Sequence, residues 1–269
     1  HPKIINYPEN FDFIPTEEIT NNYNTFTFLN ESNNLNEAGW DNPNNSKLWN
    51  YNLHYFEFLL TKNNNNYEID LQKNIIENWI TMNPTRDGTG WEPYPTSLRI
   101  INWIKWHFKT NMLSLKAKVS LWNQALWLSK NIEYHLMGNH LFINAKALLF
   151  ASVFFDQNKN SKIFKKAISI ISSELDEQFL SDGAHFELSP MYHSLAMEDL
   201  LDIINIHRNF SLTFPIDKFK EKYYKGMLWL KTMIYDNYEL SHFNDCANGI
   251  APTINEIENF AKKIGLNNR

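Results

Sequence analysis

The sequence holds a single cysteine, Cys246, which excludes an internal disulfide and any zinc site built from cysteines. No apolar run reaches the roughly 18 residues that a membrane-spanning helix needs, so no membrane span is expected. Basic charge is also scarce. The 25 Lys and Arg are outnumbered by 30 Asp and Glu, for a net charge of −5, so nucleic acid is not an expected partner. Glycine is sparse, and none of it forms a P-loop, a Gly-x-Gly-x-x-Gly or a Gly-x-Ser-x-Gly. A His-Glu-x-x-His is missing too, so neither a metal nor a cofactor is indicated. Strand signals are almost absent. The start, His1-Pro2-Lys3, follows no signal region, so a removed signal peptide or a larger parent protein is expected.

What the chain does have is apolar residues at helical spacing. Residues 1–46, rich in Asn, Pro and aromatics without sustained periodicity, read as an irregular arm or short helices, and 47–269 as a helical domain. Helices are predicted over about Lys47 to Thr61, Tyr67 to Met82, from Thr96 or Ser97 past Phe108, and Leu115 to Leu136 with Gly138 as its left-handed stop. Others follow over about Asn139 to Phe155, Ser161 to Phe179, from a Ser189 cap with Pro190 in the first turn, Ile216 to Tyr235, and Thr253 to Ile264. No fixed-period repeat supports a solenoid, so an all-α toroid of antiparallel helical hairpins is the expected fold.

The chemically rich segments fall at every second connection: Gly88 to Pro95, Gly138 to His140, Asp182 to His193, and Ser241 to Asp245. The connections between them, Lys62 to Asn66, Thr110 to Ser114, Asp156 to Asn160 and Asn209 to Phe214, are bland. Antiparallel hairpins bring alternate connections to the same end, so one end of the assembly is expected to be a binding face. Aromatic residues make up 15% of the chain, and a few of them at that end suit carbohydrate stacking beside the core packing of the rest.

Individual residues at this end admit two readings each. Asn139 caps its own helix or binds a ligand, and His140 is a surface histidine or a catalytic one. Tyr192, in a first helical turn, is a core tyrosine or a proton-transfer group whose phenolate would need a dipole or a cation. His193, one position on, need not share its site. Arg99 is a snorkelling side chain or an anion clamp. Trp91 and Tyr94 stack on sugar rings or anchor their loop, while Glu92, Glu187 and Asp245 are potential acids.

Taken together, three segments resemble the heparinase II/III family of polysaccharide lyases: Trp91-Glu92-Pro93-Tyr94-Pro95-Thr96-Ser97-Leu98-Arg99, Gly138-Asn139-His140-Leu141-Phe142 with Asn144-Ala145-Lys146-Ala147, and His185-Phe186-Glu187-Leu188-Ser189-Pro190-Met191-Tyr192-His193. The resemblance runs from about Trp49 to Leu266. It implies an incomplete α/α toroid normally followed by a C-terminal β-sandwich that completes the cleft, and the sequence stops where that domain should begin. The implied activity is β-elimination on an acidic, uronate-containing polysaccharide such as a glycosaminoglycan or alginate. Asn139 would stabilise the developing aci-carboxylate, a role worth about a hundredfold or more in rate. His140 would assist neutralisation or take the C5 proton, and Tyr192 would act as base, acid or both. Arg99, Trp91, Tyr94, Glu92, His193 and Glu187 would contact substrate, in a cleft made locally positive around Arg99 and His140. Alone, the chain is expected to be inactive or weakly active. A silent carbohydrate-binding toroid and an α/α-toroid glycoside hydrolase are the competing readings. The resemblance favours a periplasmic or secreted location and leaves the cytoplasm open.

Overall fold

The computed structural model describes residues 8, 11–17, 20–21, 23–62, 65–84, 86–136, 138–155, 161–235, 239–247 and 249–266. The segment His1-Pro2-Lys3, the middle of the 62–66 connection and all of 156–160 lie outside the described residues.

Side-chain caps fix most helix starts. Ser46, Asn65, Ser114, Ser161, Ser189 and Thr253 each accept a backbone N–H from the first turn that follows. They open α2 (Lys47–Tyr55), α3 (Asn66–Met82), α5 (Leu115–Leu128), α7 (Lys162–Gln178), α8 (Pro190–Phe210) and α10 (Ile254–Lys263). Between them lie α4 (Pro93–Thr110), α6 (Gly138–Phe154) and α9 (Asp217–Thr232).

Helix α4 packs on α2, α5 and α6, α6 also packs on α7 and α8, and α8 also packs on α9 and α10. The even-numbered helices α2, α4, α6 and α8 thus form one series of neighbours, and α5, α7 and α9 pack on members of it. This is the mainly helical domain expected. Helix α6 is its centre: every residue from Leu141 to Phe154 is buried, most of them apolar, with Asn144, Lys146 and Ser152 the polar exceptions.

Four local expectations are corrected. First, part of the arm before residue 47 is a sheet and not an irregular chain or short helices alone: β1 (Thr20–Asn21), β2 (Thr25–Phe28) and β3 (Glu31–Asn34) pair antiparallel, followed by a short helix α1 (Leu35–Ala38). Phe26 and Phe28 alternate inward from β2 onto Phe58 and Trp49, at ring distances of 4.8 and 5.3 Å. Second, α2 stops at Tyr55 because Phe56 turns left-handed (φ 61°) and is fully buried, stacked on Trp40 at 5.4 Å. Third, α4 starts at Pro93, not after Pro95. A first-turn residue has no intrahelical use for its N–H, so both prolines fit there. Fourth, α5 ends at Leu128, and Gly138 (φ 55°) opens α6 instead of closing α5.

Candidate functional site

The rich connections precede α4, α6 and α8, so the N-terminal ends of these three neighbouring helices come together. Tyr94 lies in the first turn of α4 and His140 in the first turn of α6, and their rings are 4.3 Å apart. Gln178 at the end of α7 donates to the Gly138 carbonyl at 2.8 Å. In the loop that follows, Glu187 and Phe186 lie against Gly138. Tyr192 follows in the first turn of α8, where Ser189 caps it. Asn244, from the fourth rich segment, donates to the Leu188 carbonyl at 3.3 Å. All four rich segments therefore meet at one end, with Asn139 and Tyr192 on the same side.

Within this group the charges are mostly negative. Burial, together with the carboxylates of Glu187 and Asp245, holds the Tyr192 hydroxyl above its usual pKa. Glu187 is also pushed up, by burial and by Asp245, against a lowering pull from His140. Tyr94 is raised chiefly by burial. Asn139 is half-buried, and among the described residues its side chain has no hydrogen-bond partner. The Nδ1 of His140 lies 3.3 Å from Glu133 Oε2. A cleft of about 690 Å³ opens beside His140, lined by Lys47, Tyr51, Trp91, Glu92 and Glu133 among others.

Several expected contacts are not available to a ligand. Arg99 is fully buried and does not line the cleft, so it is neither a surface side chain nor an anion clamp. Its Nε donates to Gln124 Oε1 at 2.8 Å and its Nη2 to Thr96 Oγ1 at 3.2 Å, and its guanidinium lies 3.9 Å from the Trp79 ring centre. His193 is also fully buried. Its Nδ1 accepts the His185 N–H at 3.1 Å, its Nε2 donates to the Gly226 carbonyl at 2.9 Å, and burial lowers its pKa to about 4. Trp91 anchors its loop: it packs between Trp79 and Trp127, donates to the Asn83 carbonyl at 3.2 Å and shows only an edge to the cleft. Glu92 accepts from the Tyr51 hydroxyl and pairs with Lys47 at 3.0 Å. Burial and that carboxylate raise the Tyr51 pKa to about 12.

The cleft is not positive around Arg99 and His140, because Arg99 is in the core and Glu133, Glu187 and Asp245 surround His140 and Tyr192. Its cations are Lys47 and Arg86. Sequence reasoning also missed Glu133, and it placed Asn144 in a family segment without giving it a role. Asn144 Oδ1 accepts the Glu133 N–H at 2.9 Å, and Asn144 Nδ2 donates to Glu133 Oε2 at 3.2 Å. No motif spacing announces a contact between a loop and a helix.

The sequence matches the Heparinase II/III N-terminus family over residues 19–265, and the chain belongs to that family. A heparin-sulfate lyase from Pedobacter heparinus is 39% identical over 79 residues, 29% of this chain and 12% of that lyase. One from Bacteroides stercoris is 35% identical over 74 residues, 27% of this chain and 11% of that lyase. Among solved structures, heparan sulfate lyase from Pedobacter heparinus aligns with a TM-score of 0.61 at 20% identity, covering 81% of this chain and 38% of that one. A heparinase III aligns at 0.58 with 22% identity, covering 81% and 35%. At these identities the structural likeness establishes the fold, and the chain spans little more than a third of those lyases.

Proposed function

We propose that this chain forms one wall of a lyase active site that cleaves an acidic, uronate-containing polysaccharide of the glycosaminoglycan type by β-elimination. The observation that carries the reading is the gathering of Asn139, His140 and Tyr192 at the first turns of two adjacent helices. Helix N-termini favour anions, so a uronate carboxylate is at home there. Asn139, with its side-chain amide uncommitted, hydrogen-bonds that carboxylate and stabilises the charge that builds on it as C5 loses its proton. His140 accepts the C5 proton. The C5–H electron pair becomes the C4=C5 double bond, the C4–O4 bond breaks, and Tyr192 protonates the leaving oxygen. Burial, with the carboxylates of Glu187 and Asp245, keeps the Tyr192 hydroxyl protonated, which is the form an acid starts from.

The test is product chemistry with the parent protein on heparan-type and alginate chains. Appearance of ultraviolet absorbance from a 4,5-unsaturated uronate supports the proposal. New reducing ends without that absorbance mean hydrolysis, and binding without either product means a silent carbohydrate-binding domain. Either of the last two outcomes overturns it.

A further inference from the structure

We infer that Glu133 is a positioning residue for His140: it holds the imidazole in the tautomer that carries its proton on Nδ1 and turns Nε2, with its lone pair, to the cleft. The functional consequence rests on the lyase reading above, but the tautomer does not.

Three features support this. The first is the contact itself, Glu133 Oε2 to His140 Nδ1 at 3.3 Å, where a carboxylate oxygen can only accept and the ring nitrogen must donate. The second is that the carboxylate is not free to swing. Glu133 is only 8% exposed, its backbone N–H is fixed by Asn144 Oδ1, and the same Oε2 accepts from Asn144 Nδ2. Asn144 and His140 are four residues apart on α6 and so share a helical face, which is the face that Glu133 meets. The network continues into α4: Asn144 Nδ2 also donates to Ser97 Oγ at 3.1 Å, and Ser97 donates to the Pro93 carbonyl at 2.7 Å. The third is that the Tyr94 ring, 4.3 Å away and tilted by 34°, limits how the imidazole can turn. A buried, doubly anchored carboxylate behind one nitrogen of a half-exposed histidine has the geometry of an orienting acid. When Nε2 takes a proton, the Glu133 oxygen already hydrogen-bonded to Nδ1 lies beside the charge that forms on the ring.

The experiment is nitrogen-15 NMR of the histidine rings in the 269-residue chain and in two variants, Glu133→Ala and Glu133→Gln, with kinetics of the same variants in the parent lyase. In the wild type at neutral pH, Nδ1 of His140 is expected to be the protonated nitrogen. Glu133→Ala should release it to a mixture dominated by the Nε2–H form. Glu133→Gln can keep an oxygen facing both donors, so it should preserve the tautomer and remain folded while removing the charge. In the parent lyase this variant should lower kcat by roughly 10- to 100-fold with KM changed much less, as expected of a carboxylate that acts chiefly through the ring it supports. A wild-type His140 protonated on Nε2, or a tautomer unchanged in a folded Glu133→Ala, overturns the inference. A kcat unaffected by Glu133→Ala in an active lyase also overturns it. A parent protein that makes no unsaturated product, yet shows the Nδ1–H tautomer and its loss in Glu133→Ala, refutes the lyase reading and supports the positioning.

Discussion

The two ends of α4, α6 and α8 are built for opposite purposes. At their C-terminal ends the segment 11–16 crosses the bundle and seals it. Phe11 packs against Phe108 of α4 at 4.9 Å and Phe150 of α6 at 6.3 Å, and the Asp12 carbonyl accepts from Asn205 of α8 at 2.8 Å. Thr16 finishes the seal by donating to the Leu60 carbonyl at 3.1 Å and, through its hydroxyl, to Glu57 at 2.8 Å. At the N-terminal ends the same helices carry half-buried Tyr94, Asn139, His140 and Tyr192, and His140 lines a cleft. Aromatic closure at one end frees the other from having to hold the bundle together. Its polar groups can then be arranged for chemistry.

Between the ends lies an ionic layer. Asp202 Oδ2 of α8 sits 2.6 Å from Lys105 of α4 and 2.5 Å from Lys146 of α6, and Lys146 also reaches Asp199 at 2.6 Å. Burial pushes the Asp202 carboxyl up, but Lys105 and Lys146 overcome that and hold it below the usual range. This layer should give the largest effect. Asp202→Asn leaves two buried ammonium groups short of a counter-charge and should cost about 3–5 kcal/mol in urea unfolding. A loss under about 1 kcal/mol would mean that water already screens the layer. Next comes the seal: Phe11→Ala should cost about 3 kcal/mol. It should leave the His140 ring resonances unmoved, and shifts there would show that the two ends are coupled after all.

Local chemistry made some of this arrangement legible in the sequence and tertiary contacts hid the rest. Ser189-Pro190, Ser161 and Thr253 announce their helices by capping alone, which is why the position of Tyr192 in a first turn could be read directly. Pro93 and Pro95 misled, because a proline is as welcome inside a first helical turn as before it. Gly138 misled because a left-handed glycine serves the start of α6 as readily as the end of α5. The alternation in Thr25-Phe26-Thr27-Phe28 is a strand signal, but too short to stand out from an Asn-rich arm. Arg99 could not be assigned at all without knowing that Gln124, Thr96 and Trp79 would surround it. Glu133 and Asn144, eleven positions apart and on different elements, meet only in the folded chain.

The site end is expected to separate activity from stability. On the lyase reading proposed above, Tyr192→Phe should reduce turnover of a uronate-containing polysaccharide by about a hundredfold or more, the range lost with a general acid. The ring stays packed, and among the described residues the hydroxyl has no hydrogen-bond partner, so the melting temperature should change little. Full turnover in that variant would remove Tyr192 from the mechanism. A large drop in melting temperature would instead mean that this end, too, carries the fold.

The smallest effect distinguishes how the site end is supported beneath its surface. Burial lowers the pKa of His185 and His193 to about 4, and each rests behind the site residues. A histidine depressed in the folded state gains its proton first in the unfolded chain, whose imidazoles titrate near 6.5. Above that pH neither state binds the proton and stability is unaffected. As pH falls through 6.5 the unfolded state is favoured, and the loss continues until the folded pKa is reached. Between pH 7 and pH 6 a single such histidine should therefore cost roughly 0.7 kcal/mol. His193→Gln will have its own cost at every pH, since Gln cannot reproduce both the His185 and Gly226 hydrogen bonds. What identifies the buried neutral imidazole is the slope: the variant should lose about 0.7 kcal/mol less than the wild type over that interval. Urea denaturation at the two pH values gives the comparison directly, and equal slopes would show that His193 takes up its proton in the folded chain as readily as in the unfolded one.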